Sequence, residues 1–217
     1  LSPLMMMTVM TIVFSSLFQG SVPNYAVFLL SGFTIWGFFN QTSAGIMNEL
    51  TWGGSLLSKI YVPPSVFAVS ALGSGLVNLL LSLVPLVLIM LVTGMPITWS
   101  LFFLPVPILL TSMFALGIGL VLARLAIFFG DVVEMYGILL MVWFYASPII
   151  YPVERVNDET KRFLLQLNPV YYLIEAFRTP IYEGQMPDPF IILVAGGVSL
   201  AALLIGWWFF TQKVDEF

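Results

Sequence analysis

The stretch SVFAVSALGSGLVNLLLSLVPLVLIMLV, from Ser65 to Val92, decides the fold class of this chain. It lies within a longer region, Val62 to Ala123, that contains no Asp, Glu, Lys or Arg. An apolar helix needs about 20 residues to cross the roughly 30 Å hydrocarbon core of a membrane. Over all 217 residues, 60% are hydrophobic and 8% are charged, whereas soluble domains carry about 25% charged residues. The sequence therefore predicts an integral membrane protein.

The composition also excludes several classes of chemistry. Cysteine and histidine are absent, which removes thiolate nucleophiles, disulfides, His–metal clusters and imidazole catalysis. No Gly-rich phosphate loop ending in Lys-Ser or Lys-Thr occurs. The net charge is −4 and no basic patch is available to meet nucleic acid. We therefore expect neither an enzyme, nor a metal site, nor a nucleic-acid partner.

Six apolar segments have the composition of transmembrane helices, and they predict one all-α domain over residues 1–217. The chain does not begin with Met and its opening segment is short, so we expect a missing N-terminal part. The third predicted span is longer than a bilayer requires and should tilt or extend beyond the bilayer. The predicted spans are residues 4–18, 26–47, 65–92, 101–122, 132–149 and 190–210.

The connection from Glu49 to Pro64 mixes polar and apolar residues. Leu56, Leu57 and Ile60 fall on one helical face, with Lys59 elsewhere. This pattern predicts a short amphipathic helix at the membrane surface, over about residues 52–62. A hairpin loop with an interfacial turn is the alternative.

The connection over residues 151–189 is too long for a structureless loop in a compact domain. It contains two short helix patterns. The first has an N-cap at Asn157 and ends at Asn168-Pro169, and the second runs from Tyr171 to Arg178 and ends at Thr179-Pro180. Both are too short to span a membrane, so they predict a re-entrant or interfacial hairpin. A cap outside the membrane without a transport role is the alternative.

Ionisable residues are almost absent from the predicted spans. Glu134 lies near the end of the fifth span, and the spacing of Arg124 and Asp131 permits a local ion pair. An ion-coupled transporter needs a buried charged group near the membrane centre, and no such group is evident. The energy source is therefore expected outside this chain.

Aromatic residues recur at helical spacing on the second and fifth predicted spans. Their flat, uncharged rings can stack on sugars and let them slide, which suggests the lining of a channel. The alternative is ordinary, because Trp and Tyr collect at membrane interfaces and Phe commonly faces lipid. The candidate lining residues are Phe33, Trp36, Phe39, Tyr136, Trp143 and Tyr145.

Two pairs of small residues predict close helix packing. Ala115 and Gly119 lie four residues apart in the fourth span, and Gly197 and Ala201 do so in the sixth. Small residues at this spacing let two helix backbones approach each other within a membrane.

Three further segments carry specific motifs. They are LLSKIYVPPSVF (Leu56–Phe67), FFGDVV leading to WFYASPIIYP (Phe128–Pro152), and Asn168-Pro169 followed by IEAFR, which ends at Arg178. In order and spacing they resemble the membrane subunit of type-2 ABC exporters, in the branch that moves O-antigen, teichoic acid and capsule polysaccharides on lipid carriers. The motifs span most of the chain, and the Ser-Pro-Ile-Ile-Tyr and Asn-Pro…Glu-x-Phe-Arg pair is the most specific part.

The resemblance implies six helices per subunit, an N-terminal interface helix, and a homodimer that encloses a channel in the bacterial cytoplasmic membrane. It also implies two copies of a separate cytoplasmic ATPase subunit, which bind ATP and Mg. Two features depart from the family. The N-terminal interface helix is absent from this sequence, and Gly130 precedes Asp131 where the family often has Arg.

The resemblance also implies roles for individual residues. The segment after the second span would be the coupling helix that docks on the ATPase, and the hairpin would gate the exit, with Glu175 and Arg178 holding it in place. The coupling residues would be Glu49, Leu56, Leu57, Lys59 and Tyr61. The gate residues would be Tyr151, Asn168, Glu175 and Arg178.

The predicted function is the export of a lipid-linked polysaccharide. An ABC permease for a drug or another lipid would share the fold, and a channel or assembly subunit outside the ABC class is a further alternative. Charge does not decide the orientation. The family arrangement places three basic residues inside and four outside, against the positive-inside rule. The three are Lys59, Arg124 and Lys213, and the four are Arg155, Lys161, Arg162 and Arg178.

Overall fold

The computed structural model describes residues 23–52, 64–153 and 159–212. Helices and short connections make up these ranges, and no strand occurs in them. The fold class is therefore all-α, as the sequence predicts. The first predicted span, nearly all of the predicted coupling helix and the predicted cap Asn157 lie outside the described residues.

Seven α-helices follow one another in the described residues, with one 3-10 helix and one π-helical turn. The 3-10 helix Trp99–Phe103 precedes the third α-helix, and the π-helical turn Thr179–Glu183 follows the sixth. The α-helices are α1 Tyr25–Trp52, α2 Pro64–Val92, α3 Pro105–Phe128, α4 Val132–Tyr145, α5 Glu159–Leu167, α6 Pro169–Arg178 and α7 Pro189–Thr211.

Three of the described helical segments are long and apolar enough to cross a membrane. They are Ser65–Val92, Trp99–Phe128 and Pro189–Thr211, which overlap the third, fourth and sixth predicted spans. Helix α4, within the fifth predicted span, is apolar but has only 14 residues. It rises about 21 Å, which is less than the hydrocarbon thickness of a bilayer.

Helix α1 occupies the second predicted span and is 28 residues long, but it is more polar than the other three. It lies in the interior, in contact with α2, α3, α4 and α6. Three of its buried hydroxyl groups, on Ser31, Thr34 and Ser43, donate to carbonyl oxygens of α1 itself. Protein surrounds this helix, so its polar residues do not have to meet lipid.

Glycines bring α3 and α7 together along parallel paths. Gly117 contacts the backbone at Ala202, and Gly206 contacts the backbone of Gly117. A Cβ at either glycine would overlap the neighbouring backbone. The predicted pair in the fourth span has a different partner, since Gly119 packs against Ile46 of α1. Gly197, in the predicted pair of the sixth span, has open space beside it.

The ion pair that the sequence suggests between Arg124 and Asp131 is not formed among the described residues. The Arg124 guanidinium instead donates to the carbonyl oxygen of Phe209 and lies 4.3 Å from the centre of its ring. Arg124 is near the end of α3 and Phe209 near the end of α7, so this contact fixes one end of the parallel pair. The interaction was missed because it joins residues 85 positions apart.

Exposed tryptophans mark both ends of the bundle. Trp99, which is 84% exposed, stacks on Phe102 in the 3-10 helix that precedes α3. Trp207 and Trp208 are exposed near the end of α7. Because α3 and α7 run parallel, these positions lie at opposite ends. Aromatic belts of this kind form where a protein meets the two membrane–water interfaces. Between them, α2, α4 and α7 expose large apolar side chains.

Candidate functional site

A segment of non-helical backbone, residues 146–150, follows α4 and is called here the unwound segment. The sequence predicts a span that continues to residue 149, but α4 ends at Tyr145. Pro148 has no N–H to continue the helix, and the unwound segment lies beside helices α1 and α6. Irregular backbone is tolerated at membrane depth only if its carbonyl groups find partners in protein or water.

Arg178, at the end of α6, supplies two of those partners. Its guanidinium Nη1 donates to the carbonyl oxygen of Pro148 at 2.9 Å, and Nη2 donates to that of Ile149 at 3.2 Å. Nη1 also lies 3.4 Å from a carboxylate oxygen of Glu175. The group is 3.8 Å from the centre of the Phe28 ring, and the residue is only 3% exposed. A buried cation thus joins α1, α6 and the unwound segment.

Asn168, at the other end of α6, holds the beginning of the unwound segment. Its Nδ2 donates to the carbonyl oxygen of Ala146 at 3.2 Å and to the hydroxyl of Ser147 at 2.9 Å. Its Oδ1 accepts from the Trp143 indole at 2.8 Å and from the backbone N–H of Val170 at 3.0 Å. The same side chain therefore caps α6 and fixes the end of α4.

Two tyrosines complete the set of partners. Tyr25 donates to the carbonyl oxygen of Ile150 at 2.7 Å, and Tyr151 donates to that of Tyr145 at 3.2 Å. The Ser147 carbonyl accepts from the N–H two residues later at 2.8 Å. Every carbonyl from residue 145 to residue 150 therefore accepts a hydrogen bond. Burial raises the pKa of the Tyr151 phenol above its ordinary value.

Gly32 of α1 makes room for the Arg178 guanidinium. A Cβ built at Gly32 would lie 2.5 Å from Nη2 and 3.3 Å from the Ile149 carbonyl oxygen. A side chain here would displace the cation from its acceptors. Gly37, further along α1, has open space around it, so the requirement is local to the contact with Arg178.

The chain does not leave helical structure at Thr179-Pro180, where the sequence predicts an end. It continues as the π-helical turn to Glu183, because Pro180 lacks the N–H that an α-helical turn would need. The carbonyl oxygen of Pro180 accepts from the Ser100 hydroxyl at 2.9 Å. Tyr182 donates to the carbonyl of Pro23 at 2.6 Å. The hairpin is thus fastened to the start of the α3 segment and to the start of α1.

The predicted lining residues from the two aromatic stripes largely meet in one cluster. Ring centroids of Trp36 and Trp143 lie 6.4 Å apart, those of Phe39 and Trp143 5.5 Å apart, and those of Phe33 and Phe144 5.4 Å apart. Phe39 and Trp36 are buried, at 1% and 5% exposure, while Phe33, Trp143 and Phe144 are half-buried. The stripes are therefore adjacent within one chain.

Three aromatic residues differ from that pattern. Tyr136 is buried apart from the cluster and its hydroxyl lies 2.7 Å from that of Ser43 on α1. Tyr145 is 60% exposed and contacts the Phe144 ring. Phe114 of α3 joins the cluster at 5.3 Å from Phe39, and its position in the sequence gives no sign of this. The lining role of Tyr136 and Tyr145, like that of the four residues in the cluster, stays a prediction.

The structure describes only one of the predicted coupling residues. Glu49 lies in the last turn of α1, which extends to Trp52, rather than in a connection as the sequence suggests. The other four, Leu56, Leu57, Lys59 and Tyr61, lie outside the described residues.

Residues 1–182 match the ABC-2 type transporter family. The chain belongs to this family. The O-antigen export system permease protein RfbA of Myxococcus xanthus is 30% identical over 219 residues, covering 100% of this chain and 84% of that protein. Two proteins of the same name from Klebsiella pneumoniae are each 22% identical, over 93% and 89% of this chain and 78% and 74% of their own lengths.

Family membership identifies the chain as a multi-pass membrane subunit of a transporter. It also gives a context for the two most specific motifs. Ser-Pro-Ile-Ile-Tyr, residues 147–151, supplies most of the unwound segment, and Asn-Pro…Glu-x-Phe-Arg forms the helix that binds it. Sequence reasoning paired Glu175 with Arg178 but missed Gly32, Tyr25 and Phe28, because their roles depend on contacts between distant segments.

Proposed function

We propose that this chain is the channel-forming permease subunit of an ATP-driven exporter of a lipid-linked polysaccharide, located in a bacterial cytoplasmic membrane. The observation that carries the proposal is the similarity to the O-antigen permease of Myxococcus xanthus, which extends over the whole chain. The absence of histidine and cysteine and the apolar helices agree with a transport subunit rather than an enzyme.

The proposed assembly is a homodimer of six-span subunits with two copies of an ATPase, which bind ATP and Mg. Three apolar segments and the long interior helix α1 would account for four spans. The fifth would be α4 together with the unwound segment, since the 14 residues of α4 are too few to cross the bilayer. The first would lie before residue 23. Membrane lipids would cover the exposed apolar faces of α2 and α7.

Helix α1 is proposed to carry motion from the ATPase to the exit. The coupling segment around Lys59 follows its C-terminal end, at Trp52. Its 28 residues make a rod about 42 Å long. Near its N-terminal end, Tyr25 and Gly32 contact the unwound segment and Arg178. A displacement at the ATPase end would therefore reach the hairpin directly.

The channel wall is proposed to include the aromatic cluster. Its half-buried members, Phe33 and Trp143, and the exposed Tyr145 would meet the glycan. The buried Trp36 and Phe39 would support them from behind. An uncharged aromatic surface holds sugars by dispersion and C–H contacts, which a moving polymer can exchange one unit at a time.

The hairpin is proposed as the exit gate. Tyr151, Asn168 and Arg178 donate to carbonyl oxygens at the end of α4 and in the unwound segment, and Glu175 pairs with Arg178. Together with the contact from Tyr25 of α1, these interactions would keep the gate closed. Rocking of α1 would strain this set of contacts as a group. The gate would then open through a change at a few polar contacts, with the helices moving as rigid bodies.

Two alternatives share parts of this account. An ABC permease for a drug or another lipid would use the same coupling, but the relatives named for O-antigen export favour a glycan. A channel or assembly subunit outside the ABC class is disfavoured by membership of the ABC-2 family.

A deletion strain tests the function. Loss of the gene should abolish surface polysaccharide and cause lipid-linked glycan to accumulate inside the cell, and the wild-type gene should restore export. Normal surface polysaccharide in the deletion strain would refute the proposal.

Coupling can be tested in the same strain with Lys59→Glu combined with a flexible Gly-rich insertion after Lys59. We expect export to fall to the level of the deletion strain, while the protein still reaches the membrane. Export at the wild-type level would show that this segment does not couple to the ATPase.

The channel wall has its own test. Tyr145→Ala and Phe33→Ala should reduce export several-fold, whereas Trp208→Ala, at the exposed end of α7, should leave it unchanged. Equal export by all three variants would remove the lining role.

A further inference from the structure

An open groove lies between α5, α6 and the start of α7, away from the aromatic cluster. We propose that it binds one or two sugar units of the exported glycan as the polymer leaves the protein. This inference rests on the proposed function, because it assigns a second contact point to the same substrate. The groove has a volume of about 340 Å³, which is within the range of small-molecule sites.

The groove is lined by aromatic and amide side chains. Phe163 and Gln166 come from α5, Tyr171 and Tyr172 from α6, and Phe190 from α7, with two aliphatic side chains beside them. The rings of Tyr171 and Tyr172 are 5.0 Å apart and nearly perpendicular, at 75°. Two ring planes of different orientation thus line the groove, together with a carboxamide that can both donate and accept hydrogen bonds.

This chemistry favours a carbohydrate over other occupants. Among the described residues, the seven side chains that line the groove carry no charge, so these side chains offer no counter-ion for phosphate or carboxylate groups. A site for an acyl chain would be apolar throughout, but two phenols and an amide line this one. Neutral sugars present apolar C–H faces and hydroxyl groups side by side, and these match aromatic rings and an amide respectively.

The position of the groove also fits an exit. The side of α6 that contains Val170, Leu173 and Phe177 is buried in the core, whereas Tyr171 and Tyr172 are half-buried on its other side. Helix α6 therefore has the gate contacts at its ends and the groove on its outer side. A glycan that has passed the unwound segment would meet the groove next.

The first experiment uses the permease–ATPase complex in lipid nanodiscs. The probe is an oligosaccharide of two repeat units, released by mild acid from the surface polysaccharide of the bacterium that encodes the chain. Saturation-transfer NMR gives its dissociation constant. Tyr171→Ala and Phe163→Ala should each weaken binding about three- to tenfold. Tyr171→Phe keeps the ring and should change binding less. Leu164→Ala, exposed on α5 but outside the groove, is the matched control.

A crosslinking experiment in cells identifies the occupant without relying on the isolated sugar. Gln166 is exposed and can be replaced by a photo-crosslinking phenylalanine analogue, with Leu204 on the outer face of α7 as the control position. We expect a glycan-positive product at Gln166 and none at Leu204. A product with phospholipid alone would overturn the proposal and make the groove a lipid site.

The outcomes separate this inference from the proposed function. If Tyr171→Ala and Phe163→Ala both bind the probe as tightly as the wild type, the groove is not a glycan site. The proposed function still stands in that case, provided that export is lost in the deletion strain. Surface polysaccharide that persists without the chain would refute both. Loss of probe binding in both variants, with unchanged ATP hydrolysis by the complex, would support the groove.

Discussion

The most informative single substitution is Arg178→Met. Methionine keeps most of the apolar volume of the side chain but removes every donor. The carbonyl oxygens of Pro148 and Ile149 would then be left without the guanidinium, and the half-buried carboxylate of Glu175 would lose its ion pair. The contact with the Phe28 ring would lose its charge as well.

The size of the effect follows from these contacts. A buried acceptor that loses its donor costs about 1–3 kcal/mol, and removing one member of a buried ion pair costs about 3–5 kcal/mol. These contributions overlap because they share one group, and removing the cation also ends its own cost of burial. We expect a loss of about 3 kcal/mol in the free energy that holds α6 against the unwound segment. The open population should rise about a hundredfold.

These 217 residues contain no cysteine, so a single thiol introduced into them can report this opening. Ala176 on α6 is fully buried, and Ala176→Cys is a small change. Maleimide labelling of this thiol in native membranes should be slow in the parent protein and up to about a hundredfold faster after Arg178→Met. Arg124→Met provides the matched control, because it removes an arginine that contacts α7 at Phe209. Equal labelling of the Arg178→Met and parent proteins would refute the assigned role.

Three further substitutions test the neighbouring contacts, with thermal unfolding of the solubilised protein as the common measurement. Asn168→Ala removes the cap and the donors to the unwound segment and should lower the free energy of unfolding by about 2–3 kcal/mol. Asn168→Asp keeps the acceptor and should lower it less. Equal losses in the two variants would contradict the donor role. Gly32→Ala should cost about 1–3 kcal/mol by crowding the guanidinium, whereas Gly37→Ala, with open space, should not destabilise; similar midpoints for both would contradict the contact. Gly117→Ala should separate α3 from α7 at a similar cost, whereas Gly197→Ala should not, and the reverse order would show that a different face of α7 packs on α3.

The bounds of the long apolar helices α2 and α7 were well predicted from the sequence. Helix α2 begins at Pro64 and ends at Val92, against a prediction of 65–92, and α7 lies within one residue of its predicted bounds. Both follow from unbroken hydropathy, which depends on the local chain alone. Asn168-Pro169 was predicted as a helix end. It is one, and Asn168 also caps the next helix.

The misjudged ends have physical reasons in long-range contacts. The fifth span was extended to residue 149 because Ser147 and Pro148 sit in an apolar run, whereas the structure stops the helix at Tyr145. Non-helical backbone after Tyr145 is stable only because α6 supplies hydrogen-bond donors to the carbonyl groups that the helix no longer pairs. The sequence predicts close helix packing at Gly197, whereas the close contact between α3 and α7 is at Gly117. The spacing of small residues within one helix does not reveal which face another helix will cover.

The burial of Arg178 also bears on the orientation. Its charge is held by carbonyl oxygens and a carboxylate inside the protein, so it does not interact with the membrane surface. Without it, the family orientation has three basic residues on each side. Arg124 is likewise held by a carbonyl oxygen of the protein, so the count of basic residues does not decide the orientation.

The most direct test of the central claim is reconstitution of the chain with its ATPase partner in proteoliposomes. The lipid-linked glycan of the same bacterium is placed on the side that carries the ATPase, and its appearance on the other side is measured with a membrane-impermeant glycosidase. We predict glycan movement that requires ATP and the chain, together with stimulated ATP hydrolysis. Movement without ATP, or ATP hydrolysis with no glycan crossing the membrane, would contradict the account.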